Sequence, residues 1–108
     1  MERLHSAIEK VSMDLATFKQ SLKADAPPAG LTPALQALWW DAKGDWNKAH
    51  HCVDDEDGKD AARIHAYLHR KEGDQGNAGY WYSTAGTSFY QATLDAEWAE
   101  LAAARLKG

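Results

Sequence analysis

A phrase that occurs twice constrains this chain more than any other feature. Gly44-Asp45-Trp46-Asn47-Lys48-Ala49 and Gly73-Asp74-Gln75-Gly76-Asn77-Ala78 share the spacing Gly-Asp-x-x-x-Ala and start 29 residues apart. Each follows an apolar segment that carries Ala37 or Ala66 at the same offset. Repetition at a period of about 20 to 50 residues marks stacked supersecondary units, because one helical hairpin cannot bury its apolar face alone. The expectation is an all-α chain built on two helical hairpins.

The rest of the sequence fits around those hairpins. Leu4, Ile8, Val11, Leu15, Phe18 and Leu22 recur in steps of four and three, predicting an amino-terminal amphipathic helix that ends before Pro27-Pro28. Thr32-Pro33 opens a helix through Leu35, Leu38, Trp39 and Trp40 that stops at Gly44. Asp45 caps the next, through Trp46, Ala49, Cys52 and Val53. Ala61 to Glu72 makes the first helix of the second hairpin, and Asp74 caps a helix through Ala78, Trp81, Tyr82 and Ala85. Ser88 with Gln91 three residues later reads as a capping box for a last helix through Phe89, Leu94, Trp98, Leu101 and Leu106. No alternating apolar and polar run suggests a strand, so about six helices in one domain over residues 1–108 are expected.

Five Trp, four Tyr and two Phe in 108 residues predict a core filled by large rings. A net charge of -4 offers no general attraction to nucleic acid or anionic lipid. Charged residues from Glu2 to Asp14 interrupt any leader-like or membrane-spanning run, and Cys52 is the single cysteine, so a cytoplasmic protein without an intrachain disulfide is expected.

Residues Ala66 to Ala85 resemble a tetratricopeptide repeat, with a small residue midway through the first helix, Gly-Asp at the turn, Ala78 early in the second helix, then Tyr82 and Ala85. The first hairpin departs from that pattern at Glu56, and its period is shorter than the usual one of about 34. The string from His65 to Asp74, with Asn77-Ala78, Tyr80-Trp81-Tyr82, Leu38 to Ala42 and Gly44 to Trp46, is also similar to a group of small uncharacterised bacterial and fungal proteins, over roughly residues 34 to 86. The resemblance implies a short right-handed stack of hairpins with a carboxy-terminal capping helix. It implies no activity.

In that register Arg63, Tyr67, Arg70 and Lys71 line the concave groove of such repeats, a basic and aromatic strip in an acidic protein. A non-catalytic adaptor holding an acidic protein or peptide segment is the leading expectation, because Arg supplies a bidentate fork and Tyr a flat platform. The alternative for this strip is a solvated face with intrahelical ion pairs. Tyr80-Trp81-Tyr82 crowds three rings into one turn, with Tyr82 assigned to the core and Tyr80 or Trp81 to a neighbouring helix or the groove.

His65, His69 and Glu72 stand at steps of four and three, on one helical face. The tetratricopeptide register turns both rings inward, where a neutral imidazole bonded to a carbonyl or carboxylate suffices. The sharper readings are a polar pocket that includes Asn77, or a Zn²⁺ site; neither a metal nor any other cofactor is assigned. The acidic run Asp54 to Asp57 fails the EF-hand spacing, and Gly73 to Gly79 lacks the Lys-Ser/Thr of a phosphate loop. His50 and His51 beside Cys52 do not make a Cys-His dyad, since adjacent helical positions face apart. Self-association as a weak homodimer is a third expectation, with a monomer as its counterpart.

Overall fold

Five short polar side chains set where the helices of this protein begin. Asp14 accepts the Thr17 backbone N–H at 2.8 Å, Thr32 that of Leu35 at 3.3 Å, and Asp45 that of Lys48 at 3.0 Å. Asp74 accepts from Asn77 at 3.2 Å and Thr93 from Ala96 at 3.0 Å. Each bond satisfies one of the donors that a helix start leaves orphaned. The computed structural model describes residues 13–107. Its helices are α1 (Leu15–Ser21), α2 (Pro33–Ala42), α3 (Trp46–Asp54), α4 (Lys59–Lys71), α5 (Gln75–Thr84) and α6 (Leu94–Leu106). There is no strand among the described residues, and no helix among them is long and apolar enough to cross a membrane.

The repeated phrase makes the same turn twice. Gly44 and Gly73 adopt φ of 88° and 90°, the left-handed region that only glycine enters without strain. The Gly44 and Asp45 amides donate to Asp41 O and Trp40 O, both at 2.9 Å. Twenty-nine residues on, Gly73 and Asp74 donate to Arg70 O at 3.1 Å and His69 O at 2.9 Å. This double bond pattern closes the last turn of one helix just before the aspartate opens the next. Ala37, Ala49, Ala66 and Ala78 are fully buried and let the two helices of each hairpin approach closely.

Helices α2 and α3 form one closely packed pair, α4 and α5 the other, while α4 also touches α2, α3 and α6. The main core gathers Phe18, Leu35, Leu38, Trp39, Val53, Ile64, Leu68, Trp98 and Leu101. Its indoles are held by hydrogen bonds as well as burial. Trp39 donates to Ser21 Oγ at 3.0 Å and Trp98 to Leu38 O at 2.9 Å, which ties α1 to α2 and α2 to α6. A smaller cluster of Ala66, Ala78 and Tyr82 lies under Trp81, Phe89 and Tyr90.

Two helix starts differ from the expectation. The stripe from Leu4 to Leu22 is not one helix, because Asp14 has extended backbone (φ -88°, ψ 173°) and caps α1 from Leu15; Leu4, Ile8 and Val11 lie outside the described residues. The last helix begins at Leu94 behind a Thr93 cap, not behind Ser88. Gln91 bonds Phe89 O instead, at 3.0 Å, and the Phe89 ring packs on Tyr82 with centroids 4.7 Å apart. The local capping-box pattern loses to that aromatic contact and to the better cap at Thr93.

Candidate metal centre

Helix α4 carries two chemistries on opposite faces. Residues two apart on a helix are turned by about 200°, so Tyr67 and Lys71 point away from His65 and His69.

The basic strip is met by the chain's own acids. Glu97 of α6 is fully buried and accepts from Arg63 Nη1, Arg70 Nη1 and the Tyr82 hydroxyl, each at 2.6 Å. Arg70 also donates through Nη2 to Ala92 O. Asp41 of α2, 3% exposed, accepts from the Tyr67 hydroxyl at 2.6 Å and from Lys71 Nζ at 2.8 Å. Buried carboxylates are tolerable only when matched in this way. Thus acids of α6 and α2 meet the strip where a groove was expected, and Arg63, Tyr67, Arg70 and Lys71 tie helices of this chain together, with a cleft of about 500 Å³ left beside Tyr67 and Lys71. Among the other residues of that expectation, Tyr80 is 62% exposed, whereas Trp81 turns inward.

On the opposite face three imidazoles meet. His65 and His69, 3% and 7% exposed, are joined by His50 of α3, and one ring nitrogen from each lies within 4.8 Å of the other two. The protonation pattern follows from the partners. His65 Nε2 faces Val53 O at 3.1 Å; a carbonyl can only accept, so Nε2 carries the proton and Nδ1 keeps a lone pair. That Nδ1 is buried and makes no hydrogen bond. His69 Nδ1 donates to Glu72 Oε2 at 2.8 Å, which leaves Nε2 as its lone-pair nitrogen. His50 Nδ1 stands 3.9 Å from Asp54 Oδ1, beyond hydrogen-bond distance. A hydrogen-bonded oxygen on one ring nitrogen, as His65 and His69 have, is the arrangement that orients metal-ligating histidines and raises their basicity.

Indoles wall the cluster. Trp81 lies over His65 with centroids 4.2 Å apart and planes 15° apart, and Trp46 over His50 at 5.0 Å and 13°. Trp46 is itself fixed by donating to Leu68 O at 2.8 Å. Burial pushes the His65 pKa below its usual 6.5, with the neighbouring His50 and His69 adding to the effect, so this ring is neutral at pH 7. Neutral imidazole is the form that binds metal.

A tetrahedral ion with metal–nitrogen bonds of about 2.0–2.1 Å holds its nitrogens roughly 3.4 Å apart. The three rings therefore need to draw in by on the order of 1 Å to reach that geometry, and His50, whose side chain is 26% exposed, has the most freedom to do so.

Of the expected polar pocket, His65, His69 and Glu72 come together. Asn77 is exposed at the start of α5, where its backbone N–H binds Asp74, and it shares no hydrogen bond with the histidines. His50 is not part of the expected set, because within its own helix it stands beside Cys52 and His51 and has no histidine one turn away. A usable signal was present. An antiparallel α3–α4 pair symmetric about Asp57-Gly58 matches Trp46 with His69 and His50 with His65, and their rings do meet, at 5.9 and 4.9 Å.

Compared with protein-family models, curated proteins and solved structures, the chain matches none of them.

Proposed function

We propose that this protein binds a late first-row divalent transition ion, Zn²⁺ or Cu²⁺, through His50, His65 and His69. The observations that carry the reading are that His50, His65 and His69 each bring a ring nitrogen within 4.8 Å of the other two, and that one of these buried rings, His65, has an unpartnered Nδ1. A buried polar atom without a partner costs about 1–3 kcal/mol, and a metal ion converts that cost into a bond. An all-imidazole set suits Zn²⁺, Cu²⁺ and Ni²⁺ and disfavours Ca²⁺ and Mg²⁺, which require oxygen ligands. Glu72 and Val53 O hold the rings of His69 and His65, and Trp46 and Trp81 limit the angles that His50 and His65 can take. Such an ion supplies Lewis acidity in a site sheltered by indole.

The test uses protein purified without a histidine tag, stripped with chelator and titrated with Zn²⁺ in a calorimeter. One ion per chain is expected, with binding lost in His65→Ala and weakened in His50→Ala. No binding heat in the parent protein, or binding as tight as the parent's in both variants, would rule the reading out.

A further inference from the structure

We infer that the cleft beside Tyr67 and Lys71 binds a free α-amino acid with a large apolar side chain. The cleft measures about 500 Å³, and residues of α1, α2, α4 and α6 wall it. Small-molecule sites run from about 300 to 1,000 Å³. It lies on the face of α4 that points away from His65 and His69, so the inference is independent of the metal-binding reading.

The walls select the ligand. Leu22, Trp98 and Ala99 line one part of the cleft with carbon. The Trp98 N–H is bound to Leu38 O at 2.9 Å inside the core, so the indole adds ring surface to the cleft, a platform for an apolar or aromatic side chain. The charged lining is balanced, Lys19 and Lys71 against Asp41 and Asp95. A polyanion meets two carboxylates there and a polycation two ammonium groups, whereas a zwitterion answers both signs.

The charges are also placed to meet the two ends of one small molecule. The Asp41 side chain, 2% exposed, accepts from Tyr67 and orients Lys71 Nζ at 2.8 Å. That bond uses one of three ammonium donors, and the Lys71 side chain is 38% exposed, so its other donors serve a ligand carboxylate. Asp95 acts on Tyr67, where its charge contributes to the raised phenol pKa. Tyr67 and Lys71 are one turn apart on α4, about 6 Å along the axis. This spacing suits the ammonium and carboxylate of an α-amino acid, each a hydrogen bond from its partner.

The test is NMR of the isotope-labelled full chain in EDTA, titrated with L-phenylalanine. The amide signals of Leu22, Lys71 and Ala99 are expected to follow one saturable curve, with a dissociation constant on the order of 1 mM for a ligand of about a dozen heavy atoms. Phenethylamine lacks the carboxylate and hydrocinnamate the ammonium; each is expected to bind at least about 3-fold more weakly. No saturable change at tens of millimolar overturns the inference. An analogue that binds as tightly as phenylalanine does so too, because the cleft then does not read a zwitterion. Binding that appears only when Zn²⁺ replaces EDTA puts the amino acid on the histidines and has the same consequence. Asp95→Asn changes an exposed position. It is expected to weaken phenylalanine about 3-fold and to leave hydrocinnamate unchanged, since only the first carries an ammonium. Equal losses for both ligands would show that the substitution acts through the fold, and would overturn the charge matching on which the inference stands.

Discussion

Trp81 lies face to face with the imidazole of His65, 4.2 Å between ring centroids and 15° between planes, so α5 fixes a ring that α4 supplies. The indole donates no ligand atom and acts by orientation. Trp81→Ala is expected to weaken Zn²⁺ binding about 10-fold, the lower end for groups that support metal ligands. Trp81→Phe keeps a flat face and is expected to lose much less. Competition against a fluorescent chelator reads both, and identical affinities for the two variants would remove the stacking argument.

Glu97 is the next point of test. Removing one partner of a buried ion pair leaves the others uncompensated, at about 3–5 kcal/mol. Glu97→Ala strands Arg63, Arg70 and the Tyr82 hydroxyl together, so a loss of that size in urea unfolding is expected. Glu97→Gln keeps the shape and one acceptor oxygen, and should fall between the alanine variant and the parent. A change under about 1 kcal/mol for Glu97→Ala, the size of an exposed pair, would mean that the two arginines are held by something else.

Alkaline pH acts on the same buried network. Tyr67 and Tyr82 have phenol pKa values raised above the usual 10, in both cases chiefly by burial and then by donation to Asp41 or Glu97. A group whose pKa is higher folded than unfolded contributes stability that is complete below its unfolded pKa and is lost as pH rises toward the folded value. Stability should therefore be flat through neutral pH, as far as these phenols control it, and decline from about pH 10 upward. Urea midpoints taken between pH 8 and pH 11 check this, with tyrosinate absorbance following ionisation. The Tyr82→Phe variant should show a shallower decline.

Glycine to alanine should have opposite effects at the hairpin turn of Gly73 and within α5 at Gly79. At Gly73, φ is 90° and no atom lies within 4 Å of an added Cβ, so Gly73→Ala meets backbone strain without a clash. The expected cost is about 1–2 kcal/mol. Gly79 lies inside α5 with equally open surroundings and no left-handed φ. There alanine should stabilise by about 0.5–1 kcal/mol through helix propensity. Thermal unfolding of the two variants should move the midpoint in opposite directions.

The sequence was most readable where a residue acts on its near neighbours. Thr32-Pro33, Asp45 and Asp74 announce helix starts through bonds spanning three residues, and Gly44 and Gly73 announce ends through their own φ. Ser88 misled because a capping box is a local pattern, and the Phe89–Tyr82 contact that displaces it is tertiary. The strip Arg63, Tyr67, Arg70 and Lys71 was visible as basic and aromatic, yet the acid facing Arg63 is 34 residues away on α6. No periodicity within α4 names that partner. The histidine site was two-thirds visible for the same reason. His65 and His69 are one turn apart on one helix, whereas His50 joins only once α3 folds back across the Asp57-Gly58 loop.

The ionic core also has an order in time. Arg63 and Arg70 precede Glu97 by 34 and 27 residues. At a synthesis rate of about 5–20 residues per second, they wait a few seconds for their counter-ion. Until α6 has been made, the nascent chain shows its surroundings two guanidinium groups and a ring of tyrosine that the finished protein conceals. The polar interior is thus a latch set late in translation, and in partial chains ending before residue 97 Arg63 and Arg70 lack the carboxylate that locks them.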